Sequence, residues 1–172
     1  MVKQNKVSSW HIAVAAEAYA AGLFARCGFD VSVQYGADQP EYDLIIAKGH
    51  KLLKVSVKGS QDGSWGLTQS HLKNADYHAA IDAWLQRHKL RMVFCLVQFN
   101  NVPLDHMPRV YLATPLEVAQ RLRKTAKGRG DTILYKEHVW SARAYGAGSI
   151  EHIPESWRFS IERIEHLLEQ AA

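Results

Sequence analysis

Residues 41–60 read EYDLIIAKGHKLLKVSVKGS, and this stretch decides the fold. Tyr42 to Lys48 is dominated by apolar residues that suit a strand. Gly49-His50 makes a tight reversal, and Lys51 to Lys58 follows as a second strand. Period-two alternation on that strand puts Lys54, Ser56 and Lys58 on one face and Leu53, Val55 and Val57 on the other. Asp43 precedes the reversal by about as many positions as Ser56 and Lys58 follow it. The three polar residues are therefore expected at comparable depth on neighbouring strands.

Each residue has a plain structural explanation as well. Aspartate is disfavoured inside strands, but Asp43 follows Pro40 closely and can be a strand-entry residue satisfied by the turn. The Lys54, Ser56 and Lys58 face can be the wet side of an edge strand. Upstream, Ser8 and Ser9 can cap a helix through Trp10 to Arg26 that stops at Gly28. Glu17 sits within it, inside IAVAAEAYAAGL, apolar on nearly every side. A carboxylate there is costly unless it is paired, hydrogen-bonded or bound to a cation. It either reaches a basic partner or the helix surface, or it points at the polar face of the hairpin.

Working outward, Phe29 to Tyr35 alternates as a half-buried strand and Gly36 to Pro40 is a turn. Gly59 to Gly66 reads as a loop anchored by Trp65 and Leu67. Asn74 or Asp76 opens a helix to about Lys89. Arg91 to Phe99 is an apolar run suited to a central strand covered on both faces. Arg109 to Ala113 is a further strand, and Thr114-Pro115 opens a helix through Lys124. Ala126 to Asp131 is the most flexible-looking stretch; a short strand follows at Thr132 to Tyr135, and Tyr145 to Ser149 is glycine-rich. Pro154-Glu155 opens a last amphipathic helix with Trp157, Ile161, Ile164 and Leu168 on one stripe. Helix, hairpin, then alternating helices and strands predicts an α/β fold with a mixed central sheet flanked by helices. The 172 residues suit a single domain: 1–67 holds the first helix and hairpin, and 68–172 the remaining elements.

Composition excludes several classes. With 47% hydrophobic and 22% charged residues, the chain is ordinary for a globular protein. It contains no apolar run of membrane-spanning length, and no signal-peptide core follows the polar start Met1 to Lys6. Cys27 and Cys95 form no C-x-x-C pair, so packed thiols in a reducing cytoplasm are expected rather than a zinc site. The nine histidines contain no H-E-x-x-H, and neither a hydrolase elbow nor a phosphate loop is present. A net charge of +4 and a pI near 9.1 permit an anionic partner without requiring one.

The helix AAEAYAAGLFARCGFDVSVQYGA and the hairpin QPEYDLIIAKGHKLLKVSVKGS together resemble the PD-(D/E)XK superfamily, and within it small Holliday junction resolvases and related bacterial nucleases. The likeness covers about the first third of the chain; the rest follows the expected order of helices and strands. It implies a restriction endonuclease-like core and a Mg²⁺- or Mn²⁺-dependent DNA endonuclease, commonly a homodimer. Carried across, Glu17 resembles the family's helix acid, Asp43 its metal-binding aspartate, with Pro40 displaced from the adjacent position, and Lys58 its catalytic lysine. Val57 would offer a carbonyl to the metal. Ser56 stands where the family has Asp, Glu or, in some branches, Gln.

That pattern is what phosphodiester hydrolysis needs. Mg²⁺ takes oxygen ligands and stabilises the charge that develops on phosphate, and a lysine orients the attacking water and neutralises the same charge. A serine hydroxyl is neutral and cannot replace a carboxylate. Either Glu17 and Asp43 suffice, or Asp62 swings in from the next loop, or the site no longer cuts. In the last case the chain is a nucleic-acid-binding or protein-interaction (accessory or immunity) relative on the same scaffold. Lys54 beside the site, and Lys124, Lys127 and Arg129 in the second basic stretch, are the residues expected to grip DNA phosphates. Lys124 to Arg129 reads more readily as a solvated surface loop. Trp65, Tyr77 and Trp84 could stack on bases or fill the core.

Overall fold

A computed structural model describes residues 7–34, 41–88 and 92–170. The turn at Gly36 to Pro40, the end of the first strand at Tyr35, the helix end at Lys89, the strand start at Arg91 and the residues Met1 to Lys6 lie outside the described residues. Helix α1 (Ser9–Arg26) is followed by strands β1 (Asp30–Val33), β2 (Leu44–Lys48) and β3 (Lys51–Ser60). Short β4 (Ser64–Gly66), helix α2 (Tyr77–Arg87), β5 (Met92–Gln98), β6 (Arg109–Ala113) and α3 (Pro115–Lys124) come next. The chain ends with β7 (Ile133–Tyr135), β8 (Glu137–Val139), β9 (Ile150–His152) and α4 (Ile161–Gln170).

The main sheet has five strands in the order β1-β2-β3-β5-β6. β1, β2 and β3 form an antiparallel meander, β5 runs parallel to β3, and β6 is antiparallel to β5. A parallel pair needs a crossover, and α2 provides it. The β2–β3 reversal is two residues long, with Gly49 at φ 62°, a conformation that favours glycine.

Two apolar layers sandwich the sheet. On one side Ala16, Ala20 and Phe24 of α1 and Ile164, Leu167 and Leu168 of α4 pack on Leu44, Ile46, Val55, Val57, Cys95 and Leu112. On the other, Ile81 and Trp84 of α2 and Val118, Ala119 and Leu122 of α3 cover Phe94, Leu96 and Ala113. This accounts for the unbroken apolar text of β5, which is buried at every position.

Capping follows from the residues at the helix starts. Ser8 caps α1 in a box with His11, Asp76 caps α2 by accepting from Ala79 N–H, and Thr114 and Glu117 cap α3 with Pro115 in the first turn. Glu117 also pairs with Arg163 of α4 at 2.7 Å, while Arg163 donates to the Leu112 carbonyl. That cluster ties α4 to β6 and α3.

Four segments differ from the expectation, the first being Gly59 to Gly66, which holds the end of β3 and the strand β4, paired with β7, rather than a loop. Ala126 to Asp131 is not loose: Gly130 N–H donates to Thr125 carbonyl, Asp131 N–H to Leu122 carbonyl, and Ala126 N–H to buried Glu151. Positive φ at Ala126 and Lys127 reverses the chain so that these bonds form. Residues 137–152 hold a small hairpin, β8 with β9, for which the sequence reading named no strands. The last helix begins later than Pro154. A short 3₁₀ turn (Glu155–Trp157) sends Trp157 into the α2–α3 layer. Tyr111 and Arg158 then form a bridge, and only Ile164, Leu167 and Leu168 form the buried stripe while Ile161 is exposed.

Candidate functional site

β2 and β3 pair as far as Leu44 opposite Val55. Beyond that point β2 leaves the register. Asp43 N–H donates to the Val55 carbonyl at 2.8 Å, and the Asp43 carbonyl accepts from Gln34 N–H at 2.9 Å. β3 continues to Ser60 beside β5, so its far edge has lost its β2 neighbour. A backbone N–H on such an edge must find another acceptor. Val57 N–H finds Asp43 Oδ2 at 2.6 Å, a charge-assisted bond. The aspartate is thus pinned across the notch where the two strands part.

A further hydrogen bond holds the Lys58 backbone. Its carbonyl accepts from the indole Nε1 of Trp65 at 2.9 Å, and Trp65, buried on β4, folds back over the strand. The Lys58 side chain is exposed and borders two cavities, of about 250 and 420 Å³. Ser56 is buried, lies opposite Phe94 on β5, and lines the larger cavity.

Glu17 arrives from the other layer. α1 packs on the Val55 and Val57 face, not on the Ser56 and Lys58 face that the hairpin text suggested for it. The helix lies so close to β3 that a Cβ on Gly59 would stand 2.8 Å from the Ile12 carbonyl oxygen and 2.9 Å from Ala16 Cβ. Glycine at that position sets the depth of the helix, and the notch lets its acid meet residues of the opposite face. Burial raises the Glu17 carboxyl above its ordinary value, the Asp43 carboxylate raises it further, and Lys58 pulls it back. Glu17, Asp43 and Lys58 therefore share one electrostatic environment.

Asp62 lines the smaller cavity with Lys58, but its carboxylate is held by its own loop. Its Oδ1 accepts from Ser60 Oγ, Ser64 N–H and Ser64 Oγ, each at 3.0 Å. Its acidity is a balance in which the Ser64 and Ser60 hydrogen bonds outweigh the desolvation that opposes them, and its pKa is lowered. Among the described residues, no group of three or more His, Cys, Asp or Glu side chains is placed to hold a metal ion. Two carboxylates remain, with the second Asp43 oxygen making no hydrogen bond among the described residues. Carboxylate oxygens are the donors that magnesium takes while it keeps several waters.

The expected DNA-gripping residues are scattered. Lys54 lies over the Tyr42 ring at 4.9 Å. Lys124 and Lys127 are exposed near the C-terminal end of α3. The Arg129 guanidinium sits over the rings of Tyr77, Trp140 and Tyr145 at 4.7 to 5.8 Å, held by cation–π attraction. Tyr77 begins α2 and Arg87 ends it, so this group stands about 16 Å along the helix from its other end. Trp84 is a core residue stacked on Phe94.

The sequence reading missed the far wall of the larger cavity: Glu41, His71, Arg87 and His88. None stands in a motif. The available signal was Arg87-His88 closing an amphipathic helix just before a fully buried strand, a place where polar side chains overhang a sheet. Compared with protein-family models and with curated proteins, the chain matches none.

Proposed function

We propose that the notch between β2 and β3 is a metal-assisted phosphodiester hydrolase site acting on DNA, on a restriction endonuclease-like core. One observation carries the reading: Asp43 is locked to the N–H of Val57, which stands between Ser56 and Lys58 on β3, and Glu17 is coupled to both Asp43 and Lys58. The order of helix, three-strand meander, crossover helix and parallel strand is also that expected of the PD-(D/E)XK core. Glu17 and Asp43 would hold Mg²⁺ or Mn²⁺, which when bound supplies Lewis-acid stabilisation of phosphate charge. The Lys58 ammonium faces the cavities and would neutralise charge on the scissile group. Ser56 adds a hydroxyl at the floor but no charge.

A second reading, binding without cleavage, is favoured by the small number of acids at the notch. The two are separated by incubating the chain with duplex, branched and single-stranded DNA in Mg²⁺, Mn²⁺ or EDTA, beside Asp43→Ala and Lys58→Ala. The hydrolytic reading predicts metal-dependent cleavage that falls about 10²-fold or more in each variant. Salt-sensitive binding without cleavage moves the conclusion to the second reading. Neither activity overturns both.

A further inference from the structure

The larger cavity has an unused imidazole in its wall. His88 is the cap residue at the C-terminal end of α2, and its ring lies 4.2 Å from the Trp84 ring and 5.1 Å from that of Phe94. Phe94 is the cross-strand partner of Ser56, and neighbouring strands are about 4.8 Å apart. The imidazole thus overhangs the floor position where Ser56 stands and where the resemblance implies an acid.

One ring nitrogen is already committed. Nδ1 lies 2.6 Å from the Trp84 carbonyl oxygen, which can only accept, so Nδ1 carries the proton. In the neutral ring Nε2 then holds the lone pair, and it is the nitrogen left to serve the cavity that His88 lines. We propose that His88 is the general base of this site, taking onto Nε2 a proton from the water that attacks a phosphodiester in the cavity. The inference rests on the hydrolytic reading above.

The step balances without any redox partner. A bond forms between water oxygen and phosphorus, and one P–O ester bond breaks. The water proton passes to His88 Nε2, and the leaving oxygen takes a proton from the Lys58 ammonium. The imidazolium and the amine then return to their starting states by exchange with solvent. Arg87 and Lys58 around the same cavity supply positive charge for the phosphate.

The surroundings also keep the base neutral and ready. Burial lowers the His88 pKa, with Lys58 and His71 acting in the same direction, while the Trp84 carbonyl and Glu41 oppose them. A free base near neutral pH is what proton abstraction requires.

The test compares the wild type with Asp43→Asn, His88→Ala and His88→Phe on the DNA that is cut best; phenylalanine keeps a ring against Trp84 and Phe94. Support is a loss of about 10²- to 10⁴-fold in both His88 variants, disappearance of the acid limb that the wild type shows below pH 6.5, the ordinary imidazole value, and partial rescue of His88→Ala by added imidazole. A folded His88→Phe that cuts at the wild-type rate with the wild-type pH profile overturns the base and leaves the hydrolase reading standing. Cleavage lost in His88→Ala, unrescued by imidazole, with the limb retained in the residual activity, overturns it as well. A wild type that cuts nothing overturns the hydrolase reading and the base together.

Discussion

At the scale of single residues, Glu17 is where stability and chemistry pull apart. Its carboxyl is held above the ordinary value of 4.5 by burial and by Asp43. A raised carboxyl means that the folded state prefers the protonated form. The contribution of Glu17 is then fully favourable below the unfolded value and is lost as pH rises through the folded value. Glu17→Gln copies the protonated acid, so in EDTA the variant should unfold at a higher temperature than the wild type at neutral pH. The difference should vanish near pH 4. Thermal melts across that range check it; a variant less stable than wild type at pH 7 would contradict the account. The cost of this residue could be read from the sequence in part, because a carboxylate amid alanines is costly on any face of the helix that packs. His88 could not, since its value comes from one carbonyl four residues back and one phenylalanine on a neighbouring strand.

At the scale of elements, the same distinction separates what the text revealed. α3 was visible to the residue, because Thr114, Pro115 and Glu117 are local capping signals, and β5 because a strand covered twice is apolar throughout. The layer from which α1 approaches was hidden, since a hairpin's alternation defines two faces without saying which helix covers each. The contact that decides it is Gly59 against Ile12 and Ala16. Gly59→Val forces side-chain atoms into a gap that a single Cβ already overfills, and the contacts include backbone, which cannot rotate away. Overpacking of this kind costs about 1–3 kcal/mol. The variant should lose that much stability in denaturant titration and lose DNA cleavage beyond its folded fraction, because α1 carries Glu17 away from Asp43. A variant with wild-type stability would show that the helix has room to shift.

At the scale of the whole molecule, Lys58 is the residue shared by the two sides of the sheet: it is coupled to Glu17 and it lines the larger cavity with Arg87 and His88. Glu17 comes from the α1 layer, His88 and Arg87 from the end of α2, and Asp43 and Lys58 from the sheet between them. A cation held by Glu17 and Asp43 therefore bridges the α1 layer to the sheet. It should also remove the repulsion that raises the Glu17 carboxyl. Binding to the folded chain alone stabilises it by about 2.7 kcal/mol when the ion is at a hundred times its Kd. For a chain of this size that is a rise in Tm of about 5–10 °C. The double variant Glu17→Gln, Asp43→Asn starts without the repulsion and has no carboxylate to offer, so magnesium should move its Tm only as any salt does. The two titrations together separate site binding from general salt effects, which act on both proteins alike. A wild-type response no larger than that of the double variant would remove the metal from the proposed chemistry, leaving Lys58, Arg87 and His71 as the groups available to a phosphate.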